Sequence, residues 1–283
     1  MSAHLMSITH VPSRTLLVVA MLASLLSIEV GAQAPAASPV PPGPVARTPD
    51  GRPDLNGFFQ SDHGGANWGL EPHKETFTGG GRGVIIDPPD GKLPYRPWAR
   101  AEKASRARPE RGYDDPTAHC FVAGVPRSMW VPAPVHIFQT PDHVVFLHER
   151  MAWRTVYLNR KTHLPDTIRL WQGDSIGHWE GDTLVVETKN LNGKAWLNEV
   201  GDLISHAATV VERFTPVNAD RIDYRATVTD LSTYTRPWTV QIPINRQSGE
   251  MLEVACLEDN QDMKHLKEVR DEARAKATTE GAK

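Results

Sequence analysis

The sequence predicts a mainly β protein, an antiparallel barrel or strongly curved sheet that is lipocalin-like in style. Beyond Cys120 the chain consists of short runs rich in β-branched and aromatic residues, which turn residues interrupt roughly every 10 to 20 positions. In the segment HWEGDTLVVE, Gly181-Asp182 separates two such runs, as a tight two-residue hairpin turn requires. The runs predicted as strands cover residues 135–139, 143–149, 154–159, 175–180, 183–188, 207–215, 221–230, 238–242 and 251–257.

Several of these runs are apolar on both faces, among them residues 144–147 and 184–186. A sheet with one face in water would alternate strictly between apolar and polar residues, so we expect other segments to cover its outside. One candidate is the Gly- and Pro-rich stretch 50–113, which we expect to wrap a surface rather than build a core. The other is a C-terminal helix predicted at about residues 260–275. A short basic helix is also predicted at residues 97–108.

The N-terminus has the pattern of a signal peptide, predicted at residues 1–32. An apolar run at residues 16–28 is too short to span a bilayer, and it is followed by Val30-Gly31-Ala32, whose small residues suit cleavage. An N-terminal membrane anchor is the alternative, although no basic cluster follows the run. Residues 33–47 are rich in Pro and Ala and are interpreted as an extended tether. We therefore expect one β-rich domain over residues 48–283, located in the periplasm or secreted, without a transmembrane segment in its mature form.

The net charge of the chain and its lack of metal-binding motifs limit the classes of molecule that it is expected to bind. With 31 Lys and Arg against 34 Asp and Glu, the formal net charge is -3, which argues against non-specific binding to nucleic acid. There is no His-Glu-x-x-His, no paired-cysteine motif and no acidic loop of EF-hand spacing, so neither a metal nor another cofactor is expected. A small-molecule ligand or substrate is the expected partner, and the sequence indicates no oligomeric state.

The chain contains two cysteines, Cys120 and Cys256. In an exported protein thiols tend to be oxidised, so the pair is predicted to form a disulfide. Two separate buried thiols are the alternative.

Polar residues that interrupt the β runs are the candidates for chemistry. Since side chains alternate along a strand, His206 and Glu212 are expected to share one face, with Tyr224 on the following strand. If that face points inward, a pocket would combine a histidine with a carboxyl group of raised pKa, a mixture that acid–base catalysis uses. A structural or surface ion pair is the alternative for Glu149, with Arg150 or Arg154, and for Glu212, with Arg213 or Arg225. The candidate catalytic residues are His206, Glu212, His148, Glu149 and Tyr224. The candidate ligand-binding residues are Trp179, Tyr157, Arg154 and Glu187.

Several stretches occur together in a recognisable order: TPDGRPDLNGFF, IIDPPDGKLPY, CFVAGVPR, SIGHWEGDTLVVET, VVERFT, YTRPWTV and EVACLEDN. Over about residues 48–266 they resemble a group of uncharacterised exported bacterial proteins with G-x-WEGDTLVV and C-x-x-x-G-[VI]-PR signatures. The resemblance implies export and one full-length domain, and it assigns no role to any residue. The chain departs from the group at Ile204-Ser205-His206 and at residues 159–164.

Three functional hypotheses follow. The first is an exported protein that binds a small apolar or aromatic molecule in a β-barrel pocket. The second is a lyase, isomerase or hydrolase that uses His and Glu acid–base chemistry on the same scaffold. The third is a structural or interaction protein of the cell envelope. The sequence does not decide whether the protein is an enzyme.

Overall fold

A computed structural model of the chain describes residues 43–75, 80–150 and 152–280. The predicted signal peptide and most of the predicted tether lie outside these residues. The last part of the tether, residues 43–47, lies along the folded domain. The carbonyl of Gly43 accepts a hydrogen bond from the backbone N–H of Ala219 at 3.0 Å. Arg47 pairs with Asp182 at 2.6 Å.

Ten strands, two α-helices and three short 3₁₀ helices make up the described chain. The strands are β1 (Gly57–Ser61), β2 (Ile85–Asp87), β3 (Val135–Gln139), β4 (His143–His148), β5 (Ala152–Tyr157), β6 (Asp174–Glu180), β7 (Thr183–Lys189), β8 (Thr209–Asn218), β9 (Arg221–Thr229) and β10 (Trp238–Arg246). The α-helices are α1 (Pro97–Arg106) and α2 (Asp262–Glu280), and the 3₁₀ helices are Pro109–Asp114, Pro116–His119 and Arg127–Met129.

Nine of the strands close into a barrel, which confirms the predicted fold class. Around the barrel the order is β1, then β3 to β10 in sequence, and β1 closes the ring by pairing with both β3 and β10. All pairs are antiparallel except β5 with β6, which are parallel. A parallel pair needs a long connection, and residues 158–173 provide it. Strand β2 lies outside the ring and pairs with the first part of β10.

The predicted strands and the hairpin agree with the structure except at the last run. Strand β3 has the predicted bounds, and Gly181, with a positive φ of 57°, begins the β6–β7 turn. The strand predicted at residues 251–257 is wrong, because this segment has no regular structure. Both edges of the preceding strand, β10, are already paired, one with β9 and the other with β1 and β2. The segment therefore cannot pair with β10, the strand that precedes it.

Alternate side chains of the strands fill the barrel interior. On β4 these are Val144, Phe146 and His148, and the matching positions of the other strands are buried in the same way. The expectation that both faces of the sheet are covered is wrong for β3 to β5. On their outer face Leu147 is exposed, and Trp153 on the neighbouring strand is 69% exposed.

The two segments expected to cover the sheet behave differently from the prediction. Within residues 50–113, side chains such as Leu55, Leu70 and Tyr95 belong to the buried core, so this segment helps to build the core. The C-terminal helix is confirmed as α2, but it packs on the 3₁₀ helix Pro109–Asp114 instead of on the strands. No helix among the described residues has the length and apolar character needed to cross a membrane.

Candidate functional site

A cavity lies at the end of the barrel where β4 and β5 meet. The space that the centre of a water molecule can occupy in it is about 90 Å³. The inner end of its wall is formed by His148 and Ala152, the facing residues of β4 and β5. The remaining wall comes from segments outside the barrel. The lining residues used below are Asn67, Phe121, Arg127, Ser128, Val131, Ala133, Arg150 and Glu199.

Arg127 is held in the cavity wall by a buried ion pair. Its two terminal nitrogens donate to the two carboxylate oxygens of Asp115 at 2.9 and 2.8 Å. Asp115 precedes the 3₁₀ helix Pro116–His119, and its carboxylate also accepts from the backbone N–H of Thr117. Both members of the pair are buried, so their charges compensate each other, and the guanidinium has a defined orientation.

A network of hydrogen bonds fixes the loop that carries Glu199. The carboxylate of Asp202 accepts from the Tyr95 hydroxyl at 2.7 Å and from the Asn198 side chain at 2.5 Å. The Trp130 indole N–H donates to the carbonyl of Leu197 at 2.8 Å. Because the loop is tied on both sides of Glu199, this side chain is held against the cavity.

Glu199 is a carboxyl group in a partly desolvated position. The Asn67 side-chain amide donates to its Oε1 at 2.7 Å, and the Glu199 backbone N–H donates to the Asn67 carbonyl at 2.8 Å. Burial raises the pKa of Glu199, and this effect outweighs the opposing influence of Arg127, of the Asn67 hydrogen bond and of Arg150. Asp115 adds to the upward shift. The group therefore retains its proton to a higher pH than an ordinary glutamic acid.

His148 supplies a neutral imidazole at the inner end of the cavity. Burial lowers its pKa to about 3, and the positive charge of Arg154 adds to the shift. At neutral pH the ring is therefore uncharged, and it can accept a proton or a hydrogen bond through one nitrogen while the other donates.

Four buried polar atoms that belong to lining residues of this cavity have no hydrogen-bond partner among the described residues. They are Asn67 Oδ1, Arg127 Nε, Ser128 Oγ and His148 Nε2. A buried polar group without a partner lowers the stability of the folded protein by about 1–3 kcal/mol. Four such groups around one cavity therefore indicate that these residues have a role other than stabilising the fold.

Three of the predicted site residues lie together, but inside the barrel. Arg154 pairs with both carboxylate oxygens of Glu212, and the Tyr224 hydroxyl donates to the same carboxylate at 2.9 Å. All three side chains are buried, and none lines the cavity. Burial, followed by the charge of Glu212, raises the pKa of Tyr224 far above its ordinary value. Glu212 thus forms a buried ion pair, but its partner is Arg154 and neither of the arginines named as alternatives, Arg213 and Arg225.

His206 does not join this group. Strand β8 begins at Thr209, so His206 lies in the turn before it and is exposed. The expectation that His206 and Glu212 share one strand face is therefore wrong. Glu149 is half-buried just beyond β4 and accepts a hydrogen bond from the backbone N–H of Leu252 at 3.1 Å, which ties down the segment after β10.

The other predicted ligand-binding residues lie away from the cavity. Trp179 on β6 carries the guanidinium of Arg52 over its ring at 5.9 Å. Tyr157 on β5 carries that of Arg160 at 4.3 Å. Glu187 on β7 accepts from Lys189 at 2.8 Å and from His163 at 3.0 Å. The hydrogen bond from Lys189 is the main reason why the pKa of Glu187 is lowered. Their role in ligand binding stays a prediction.

The predicted disulfide between Cys120 and Cys256 is confirmed, and both cysteines line the cavity. It joins the chain before β3 to the segment after β10. One wall of the cavity is thus held by a covalent bond between two segments that lie outside the barrel.

Most of the polar cavity residues are not among the site residues predicted from the sequence. Arg127 and Ser128 interrupt the apolar stretch that runs from Val125 to Val131, a signal of the same kind as the polar residues within the strands. The two residues were not predicted as site residues, because this stretch is not one of the predicted strands. Asn67 and Glu199 lie in loops, where polar residues are common and carry no such signal. Arg150 was named only as a possible ion-pair partner of Glu149.

Within the described ranges, no group of three or more His, Cys, Asp or Glu side chains is arranged to hold a metal ion. No protein-family model matches this chain, and none of the curated proteins matches it. The resemblance to exported bacterial proteins therefore stays a prediction.

Proposed function

We propose that the protein binds a small molecule in the cavity at the end of the barrel. The observation that carries the proposal is the set of four unpartnered buried polar atoms that belong to lining residues of one cavity. A ligand with polar groups would provide the missing hydrogen bonds. The tied loop around Glu199, the Arg127–Asp115 pair and the disulfide all hold this wall in place, which lowers the entropic cost of binding.

The remaining lining indicates that the ligand also has an apolar part. Phe121 stacks on Trp171 with ring centroids 4.9 Å apart, so its ring is fixed, although it is exposed. Val131 is buried, and the short side chains of Ala133 and Ala152 leave room beside it. A compact molecule with an apolar body and a polar end fits this lining best.

A cavity-filling substitution tests the proposal. In a thermal-shift screen of aromatic, terpenoid and sugar compounds, a compound that binds only the folded protein raises Tm, by several degrees when present at about 100 times its Kd. Ala133→Trp is expected to abolish these shifts by occupying the cavity. The matched control is Ala101→Trp on the exposed surface of α1, which should retain them. Absence of any hit, or hits that Ala133→Trp leaves unchanged, would contradict the proposal.

A second candidate function is acid–base catalysis in the same cavity, with Glu199 and His148 as proton carriers. It is favoured by the pairing of a carboxyl group whose pKa is raised with an imidazole that is neutral at the same pH. Glu199 would give or take a proton, with the Asn67 amide orienting it, and His148 would act on the other side of the substrate.

Glu199→Gln tests the catalytic candidate. The substitution keeps the shape of the side chain and removes its proton chemistry, so turnover of a bound compound is expected to fall about 100- to 10,000-fold while the thermal shift remains. Product would be followed by mass spectrometry. Glu253→Gln, at an exposed position in the segment after β10, is the control and should be fully active. Unchanged turnover in Glu199→Gln would remove Glu199 from the mechanism.

A further inference from the structure

The two arginines that line the cavity differ in whether a carboxylate balances their charge. Arg127 is neutralised by its bidentate pair with Asp115. Arg150, which also lines the cavity, is exposed and makes no ion pair within residues 43–75, 80–150 and 152–280. It is therefore a cation that remains available to a ligand at the mouth of the cavity.

The positive field of both arginines reaches the same part of the cavity. Arg127 and Arg150 each act on Glu199 and favour its ionised form. With Glu199 protonated, the four ionisable groups Arg127, Arg150, Asp115 and Glu199 carry a net charge of about +1. One negative charge on a ligand would balance it.

The unpartnered buried atoms add hydrogen-bond donors to this field. Arg127 Nε and Ser128 Oγ each carry a hydrogen that they do not donate to any described residue. A carboxylate accepts several hydrogen bonds and forms its strongest ones with charged donors. A neutral amide of the same shape accepts fewer, and its own N–H groups would face these donors.

We propose that the cavity takes a monocarboxylate with a compact apolar body. This inference rests on the proposed function of small-molecule binding. The carboxylate faces Arg150 and the buried donors of Arg127 and Ser128. The apolar body lies against Phe121 and Val131.

Binding of a carboxylate in this cavity is expected to depend on pH through Glu199. An ionised Glu199 would repel the ligand carboxylate, so the complex favours protonated Glu199, and binding takes up a proton. The other groups that face Glu199 are Asn67, Arg127, Asp115 and Arg150, and His148 lines the same cavity. Since the pKa of Glu199 is raised, affinity for the carboxylate is expected to increase as the pH falls from neutrality toward that pKa.

Calorimetry with two probes of equal shape tests the inference. We expect 3-phenylpropanoate to bind the wild-type protein about tenfold tighter than 3-phenylpropanamide, with a preference that shrinks at high salt. Arg150→Gln should bring the two affinities within about twofold of each other. Arg221→Gln, at an exposed position at the start of β9 outside the cavity, is the matched control and should keep the preference. In Glu199→Gln the pH dependence should disappear.

The possible failures are distinguishable. If both probes bind equally and Ala133→Trp abolishes both, the cavity is a binding site, but the inferred carboxylate preference is wrong. A preference that survives Arg150→Gln overturns the inference as well. If neither probe nor any compound of the screen binds the wild-type protein, or if binding is unaffected by Ala133→Trp, the proposed function itself fails.

Discussion

Replacing Glu212 with glutamine is expected to lower the free energy of unfolding by about 3–5 kcal/mol, because it leaves the charge of Arg154 buried without a counter-charge. Both side chains of the pair are almost completely buried, and the Arg154 Nε has no partner among the described residues. The Tyr224 hydroxyl would also lose its charged acceptor. Urea denaturation monitored by tryptophan fluorescence measures the change.

Two controls test whether the uncompensated buried charge is the cause of the lost stability. The double variant Arg154→Met with Glu212→Leu removes both charges and keeps apolar volume, and it is expected to recover most of the lost stability. Glu180→Gln breaks the exposed pair between Glu180 and Arg213 and should leave the urea midpoint nearly unchanged. If Glu212→Gln is as stable as the wild type, the interior ion pair does not have the structural role assigned to it.

Removing the disulfide is expected to have an effect of similar size. Cys120 and Cys256 are 136 positions apart, and closing a loop of this length constrains the unfolded chain by about 5 kcal/mol in the chain-entropy model. Cys120→Ser with Cys256→Ser should therefore shift the urea midpoint strongly downward. It should also weaken the thermal shifts caused by cavity ligands, because both cysteines belong to the cavity wall.

The reductant provides the matched control for this prediction. A thiol reductant should lower the stability of the wild-type protein toward that of the double serine variant and should leave the variant itself unchanged. Equal stability of the oxidised and reduced wild-type protein would show that the bond does not constrain unfolding as the loop length predicts.

The elements that could be predicted are those with a local pattern. Strand β3 and the β6–β7 hairpin depend on the alternation of side chains and on a Gly-Asp turn, both visible within about ten residues. The disulfide could be predicted because the chain has only two cysteines and the signal-peptide pattern indicated an oxidising compartment. Each of these predictions needed no knowledge of distant neighbours.

The wrong predictions concern segments whose structure depends on contacts with residues that are distant in the sequence. The run at residues 251–257 has β-type composition, but both edges of β10, the strand before it, are already paired. Leu55 and Tyr95 lie in a Gly- and Pro-rich segment that looks like a surface wrap, yet both are buried in the core. The composition of a segment indicates which local structures it can adopt. Whether its side chains are buried depends on which other segments pack against it.

The positions of the predicted site residues also depend partly on local pattern and partly on tertiary contacts. His148 was selected because it is a polar residue at the end of a strand, and the structure places it in the cavity wall. Glu212 and Tyr224 were selected as polar residues on the faces of predicted strands, but they form an interior ion-pair cluster with Arg154, because barrel closure brings β5, β8 and β9 around one interior.

The amino-acid pattern alone determined an antiparallel barrel or strongly curved sheet with a C-terminal helix and a disulfide, because strand alternation and turn residues are properties of short stretches of chain and the chain has only two cysteines. Only the tertiary structure decided that the cavity is built by Asn67, Arg127, Arg150 and Glu199 around the end of that barrel. These four residues come from separate segments outside the strands, and no spacing along the chain encodes their proximity. Closure of the barrel and packing of the outer segments bring them to one place.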